Sequence, residues 1–136
     1  MKGTDHFREH LGVKVLEVKD GYANVSMKIA KEHTNSLGAA HGGVIFALAD
    51  CAFAEAANFG ENVAVAVQVS INFLKPAFEG DTLTAEAVRV SDGKTLGLYH
   101  VTVSSFQARQ ENSLLFRISI QNMSSRPSQA IPSIRM

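Results

Sequence analysis

From Val13 to Val18, and again from Tyr22 to Ile29, apolar and polar residues alternate with the period of a half-buried strand, and Asp20-Gly21 between them supplies a tight hairpin turn. Ahead of this pair, Thr4 to Leu11 predicts a short helix capped by Thr4. Further along, Val63 to Leu74, Leu83 to Val90, Leu96 to Phe106 and Leu114 to Gln121 are rich in β-branched residues. Turn residues separate them at Glu79-Gly80-Asp81, Ser91-Asp92-Gly93 and Gln110-Glu111-Asn112. Links that short join antiparallel neighbours, so the pattern predicts a meandering antiparallel sheet. The stretch from Ser124 to Met136, with Pro127 and Pro132, reads as an irregular tail.

One segment breaks the strand period. Gly43 to Asn58 holds no proline, is followed by Gly60 as a stop, and is apolar on every side, the pattern of a helix buried all round. At about 24 Å it is short for a membrane span, and Asp50 and Glu55 interrupt it. The predicted class is therefore α+β, an antiparallel sheet wrapped around one long helix that enters after the second strand. A carboxylate inside such a helix is costly unless it is hydrogen-bonded, paired or used. That makes Asp50 the first candidate for chemistry.

Composition narrows the alternatives. At 136 residues and 46% hydrophobic content, residues 1–136 form one domain with an ample core. Thirteen basic and thirteen acidic residues cancel, so nothing global points to nucleic acid or an anionic membrane as partner. The single cysteine, Cys51, excludes an internal disulfide and fits a reducing compartment. The N-terminal residues lack the apolar core of a secretory signal, and the last residues are not a recognised address, so the expected location is the cytoplasm. His33, His41 and Asp50 lack the spacing of a metal site, so no metal is expected. Cys51 points about 100° away from Asp50 on the helix and has no adjacent base, so it reads as buried filler rather than a nucleophile.

The segment Asn35-Ser-Leu-Gly38 followed by His41-Gly-Gly-Val-Ile-Phe-Ala-Leu-Ala-Asp50-Cys-Ala-Phe-Ala, with Asn58 after it, resembles the PaaI group of hotdog acyl-CoA thioesterases, the thioesterases of phenylacetate degradation. Ile71 to Ala77, Gly80-Asp81 and Gly93-Lys94-Thr95-Leu96 continue the resemblance, which covers roughly residues 10 to 122. It implies the hotdog fold and hydrolysis of an aryl-acetyl or medium-chain acyl-CoA. Coenzyme A would enter as part of the substrate, with no separate cofactor. It also implies that Asp50 acts as nucleophile or general base, that Asn35 orients water or the thioester, and that His41 shapes the pocket through its ring or carbonyl. Phe73, Ser91, Gly93 and Lys94 match the strand and turn that contact coenzyme A, with Arg89 or Arg126 as phosphate partners. Two positions depart from the group: Cys51 stands where a hydroxyl residue is common, and Ile120 to Arg126 lacks the histidines that end the last strand in some relatives.

Thioester hydrolysis needs donors aimed at the oxygen that becomes negative, and an acid or base to handle water or attack the carbonyl. Backbone N–H groups of Gly42 and Gly43 at a helix N-terminus could be those donors, or the glycines could merely let the chain turn into the helix. Along one helix Gly42 and Asp50 are about 12 Å apart, whereas a reacting carbonyl needs both within about 3 Å. Two chains with antiparallel helices would bring Asp50 of one opposite Gly42 of the other, so a homodimer is expected, and the resemblance extends this to a dimer of dimers. A non-catalytic acyl-CoA-binding module and a hotdog dehydratase are the competing readings. The dehydratase needs a different acid and histidine layout.

Overall fold

The computed structural model describes residues 3–107 and 110–125. Helix α1, His6–Leu11, is capped by Asp5 rather than Thr4: the Asp5 carboxylate accepts the Arg8 N–H at 2.9 Å. It ends at Gly12, whose φ of 72° suits only a residue without a Cβ. The hairpin follows as β1, Lys14–Lys19, and β2, Tyr22–Lys28. Alternation is realised in β2, where Ala23, Val25 and Met27 are buried. It is not realised in β1, which is exposed along its length because it sits at a sheet edge and is bulged between Val15 and Glu17.

After a 3-10 turn at Lys31–His33, α2 runs from Gly42 to Ala57, one residue earlier at each end than predicted. Asn58 ends it by pinning it to the next strand: its amide donates to the Ala54 and Ala64 carbonyls and its Oδ1 accepts the Ala64 N–H. The remaining strands are β3, Val63–Phe73; β4, Thr82–Asp92; β5, Leu96–Gln107; and β6, Gln110–Ser125. All six form one antiparallel sheet in the order β1-β2-β4-β5-β6-β3.

This order corrects the simple meander. Helix α2 packs across the sheet, so the chain re-enters at the far edge, where β3 pairs with β6 rather than with β2 or β4. The segment from Leu74 to Asp81 then returns to mid-sheet, held by the Ala40 N–H to the Ala77 carbonyl and by a Phe78–Asp81 turn. Strand β6 begins at Gln110, inside the predicted turn, and continues through Ser124 and Ser125, which pair with β3. The rest of the predicted tail, including Arg126, lies outside the described residues.

Ile45, Leu48, Ala49, Ala52, Phe53 and Ala56 of α2 are buried in one cluster with Val25, Leu83, Ala85, Val101, Ile118 and Ile120. Phe53 meets Tyr99 edge to face at 5.3 Å. The helix is not buried all round, however. A single sheet covers one side, and Gly43 and Asp50 are exposed on the other. Among the described residues, no helix is long and apolar enough to cross a membrane.

Candidate active site

The loop before α2 is built by backbone pairing. Thr34 bridges to Ala40, Ala39 bridges to Phe78, and the His41 N–H donates to the His33 carbonyl at 2.9 Å. Asn35 organises its turn: Oδ1 accepts the N–H groups of Leu37 at 2.9 Å and Ala39 at 3.2 Å. Its oxygen is thus committed to the loop, and Nδ2 is the group it can offer outward. His33 is tied down by accepting the Ala30 N–H at Nδ1. The His41 ring is exposed and makes no cap, while its carbonyl accepts the Val44 and Ile45 N–H groups.

The N–H groups of Gly42 and Gly43 reach no acceptor among the described residues, as expected for the first turn of a helix. They point with the helix dipole toward whatever lies at this end. Beside them, Ala40, Gly42, Ile45, Phe73, Leu74, Lys75, Pro76 and Phe116 line a cavity of about 330 Å³. Phe73 packs edge-on against Phe116 at 4.7 Å and leans over Gly42. The structure therefore brings Phe73 to the glycine end of the helix.

Asp50 sits two turns further along. Its surface is open in the single chain, yet the protein crowds it enough that burial, helped by the Asp5 charge, pushes its carboxyl above the ordinary range. Arg8 of α1 forms an ion pair with Glu55, so α1 lies against the same helix. Cys51 is buried and its thiol is pushed up to about 11, chiefly by burial, which leaves it protonated and a poor nucleophile at neutral pH.

The β4–β5 turn is at the opposite end. Asp92, Gly93 and Lys94 line a polar cavity of about 370 Å³ with Asp20, Ala57, Asn62, Arg89, Tyr99, Asn122 and Ser124. Ser91 does not line it; it lies at a bulge in β4. Arg89 is committed to Asp20 at 3.1 Å and lies on Gly21, so it is less available to a phosphate than its charge suggests. Lys94 has no ion pair among the described residues. Asn122 is 3% exposed, and its Oδ1 has no hydrogen-bond partner among the described residues.

In one chain, then, Asn35, His41, Gly42, Gly43 and Phe73 share one end of α2, while Gly93 and Lys94 share the other, about 22 Å away. Asp50 stands between them on the uncovered face. Sequence reading missed Asp5, Arg8, Phe116 and Asn122. Asn122 carries a visible signal, a polar residue in the inward phase of Phe116, Ile118 and Ile120.

Among the described residues, no group of three or more His, Cys, Asp or Glu side chains could hold a metal ion. Residues 37–111 match the thioesterase superfamily. The chain is 38% identical over 117 residues to the acyl-coenzyme A thioesterase PaaI of Escherichia coli, covering 86% of this chain and 82% of that one. It is 44% identical over 105 residues to a putative esterase of Archaeoglobus fulgidus, covering 77% and 68%. The structure of E. coli PaaI, from the phenylacetic acid degradation operon, superposes with a TM-score of 0.81 at 34% identity over 88% of this chain and 83% of that one. A Streptococcus mutans protein bound to acetyl-CoA superposes at 0.76 and 29% identity over 84% and 89%. With its sheet order, helix and matched segment, the chain belongs to the thioesterase superfamily, as a PaaI-like thioester hydrolase of the hotdog fold.

Proposed function

We propose that this chain hydrolyses an acyl-CoA thioester, with an aryl-acetyl or medium-chain acyl group, to coenzyme A and a carboxylate. The observation that carries the reading is the unpartnered amide of Gly42, which lines a largely apolar cavity, with the unpartnered Gly43 amide next to it on the helix that also exposes Asp50. The thioester oxygen would accept from those amides as it gains charge. Asp50 then acts in one of two ways. As a base it takes a proton from water while the water oxygen attacks the carbonyl carbon; the C–S bond breaks and the departing thiolate takes the proton. As a nucleophile it forms a mixed anhydride, expels the thiolate, and water hydrolyses the anhydride. A carboxyl held above its ordinary range suits the first role near neutral pH.

Phe73, Phe116 and Ile45 favour an apolar acyl group, and the Asn35 Nδ2 is free to orient the water or the thioester. The His41 ring, exposed at the same end, shapes the entrance. Coenzyme A enters with the substrate, as in the acetyl-CoA complex of the S. mutans relative, and the proposed chemistry uses no separate cofactor. Ser91, Gly93 and Lys94 are the proposed contacts for its pantetheine and phosphates. The free thiol of Cys51 fits a reducing compartment, which supports the cytoplasm as the location.

We also propose a homodimer, with a dimer of dimers above it. Strand β3 is an eleven-residue edge strand bearing exposed Val63, Val67 and Phe73. Antiparallel pairing of two such edges would set Val63 of one chain beside Phe73 of its partner. The polar cavity of one chain would then adjoin the Gly42 pocket of the other, joining two groups that lie apart in one protomer. Asp50 on the uncovered face would complete the partner's site.

The test is thiol release from a panel of aliphatic and aromatic acyl-CoAs by the wild type and by Asp50→Asn. A fall in kcat of at least about a hundredfold, with the fold intact, supports the reading. Near-normal turnover by Asp50→Asn overturns the role of Asp50, and no thiol release by the wild type overturns the activity.

A further inference from the structure

Along β6 the inward phase runs through the buried Phe116, Ile118 and Ile120 and then reaches Asn122, so a carboxamide stands where the pattern calls for an apolar side chain. Its cross-strand partner on β5 is Gly97. A Cβ built on that glycine would come within 2.8 Å of the Asn122 Oδ1 and 3.3 Å of its Nδ2, so the carboxamide lies against backbone that has no side chain to exclude it. Asn122 is 3% exposed, and its Oδ1 finds no hydrogen-bond partner among the described residues. A buried acceptor in that condition is costly until a donor arrives. The side chain lines the polar cavity beyond the end of α2, together with Ala57, Asp92 and Lys94.

We propose that Asn122 is a specificity-determining residue for coenzyme A: its Oδ1 accepts an N–H of the bound coenzyme, while Lys94 meets a phosphate. The proposal rests on the reading of this chain as an acyl-CoA hydrolase. Beside Asn122 the cavity favours a donor over an anion. Helix α2 ends at Ala57, and its carbonyl end carries partial negative charge. Asp92 adds a carboxylate, and the carboxylate of Asp20 holds Arg89. Lys94, exposed on the β4–β5 turn and without an ion pair among the described residues, is the cation left for an anion. Coenzyme A carries both kinds of group, amide N–H groups in its pantetheine and an amino group on its adenine, with phosphates between them. The thioester is placed at the Gly42 amides, so Asn122 holds the substrate by a part that does not react. Asn122 also falls within Ile120 to Arg126, the stretch that lacks the histidines of some relatives, so the contact belongs to this chain's own residues.

Asn122→Leu replaces the carboxamide by an apolar side chain of similar size, and Asn122→Ala truncates it. The measurements are kcat and KM for an acyl-CoA and for the matching acyl-pantetheine, the Kd of coenzyme A by calorimetry, and the melting temperature of the protein alone. Both variants should raise KM for the acyl-CoA by about fivefold or more, the scale of one lost hydrogen bond, with kcat within about twofold of the wild type. Without coenzyme A, Asn122→Leu should melt at or above the wild-type temperature, because it removes an unsatisfied buried group. A rise in KM with both substrates supports the proposal and assigns the N–H to the pantetheine. A rise with the acyl-CoA alone supports it and assigns the N–H to the adenine. An unchanged KM for the acyl-CoA overturns it, as does an Asn122→Leu that melts lower and loses kcat together with KM, the behaviour of a structural residue. If the wild type releases no thiol from any acyl-CoA, the hydrolase reading fails and the Kd of coenzyme A decides the proposal alone. A weaker Kd in Asn122→Leu supports it, and an equal Kd or no binding to the wild type overturns it.

Discussion

Phe73 lies so close over Gly42 that a Cβ built on the glycine would stand 2.9 Å from Phe73 Cε1. The last residue of β3 and the first of α2 are thereby in contact, and an aromatic ring from another element crowds the residue whose amide is free. Gly43, its neighbour, has open space where a Cβ would go.

Gly42→Ala is therefore expected to displace the ring or the helix start and to cost at least about tenfold in kcat, since a misplacement of about 1 Å can cost about a hundredfold. Gly43→Ala meets no such obstacle in the chain and should leave the melting temperature at or above the wild-type value. Phe73→Leu combined with Gly42→Ala should recover part of the lost turnover. Equal losses at the two glycines would show that the ring contact does not matter.

Sharing of the site between chains can be tested by complementation. Gly42→Pro removes a donor and Asp50→Asn removes the acid, so each homodimer should be nearly inactive. In a mixed dimer one site carries both defects and the other neither, and activity should return to about half the wild-type value per dimer. Circular dichroism and gel filtration must show both parents folded. Purified mixed dimers without activity would place both residues in one chain's site.

Asp50 should also be visible in stability. Its carboxyl is raised in the folded chain, so the folded state binds this proton more tightly than the unfolded one. The resulting stability is fully present below the unfolded pKa and is lost as pH rises through the folded value. At neutral pH Asp50→Asn should therefore melt higher than the wild type, and the difference should shrink as the pH is lowered below the ordinary carboxylate range. Thermal unfolding across that range checks the sign.

Cys51 is buried with its thiol pushed up to about 11, so alkylation by iodoacetamide at pH 8 should be far slower than for a free thiol in solution. Cys51→Ala should keep most of the turnover. Loss of activity comparable to that of Asp50→Asn would return the cysteine to the mechanism.

The local elements were readable because each has a period and punctuation. The β2 alternation, the Asp20-Gly21 turn and the proline-free apolar helix all appear in the structure within a residue or two. Strand order was not readable, because the pattern of β3 does not say which neighbour it will meet; that is set by the path of α2 across the sheet. Apolarity on all sides of α2 predicted complete burial, but one sheet can cover only one side, and the surplus belongs to whatever faces the other. At the glycine end of the helix the sequence named Asn35, Gly42 and Phe73, which the fold brings together. The Asp5 cap and the Arg8–Glu55 ion pair were illegible, since the contact between a lightly attached helix and Glu55 leaves no periodic trace.

The placement of β3 has a consequence for the order in which the protein can be made. Its partner along the whole strand is β6, the last strand among the described residues, and Phe73 packs on Phe116 within it. A nascent chain emerging from the ribosome can close the β1–β2 hairpin early, but β3 must wait for β6 before it has a seat. Until then the ring that crowds Gly42 has nothing to lean on. The N-terminal end of α2 is thus synthesised well before β6 and acquires its final surroundings only once β6 has emerged, so the pocket that Gly42 and Phe116 share cannot form until then.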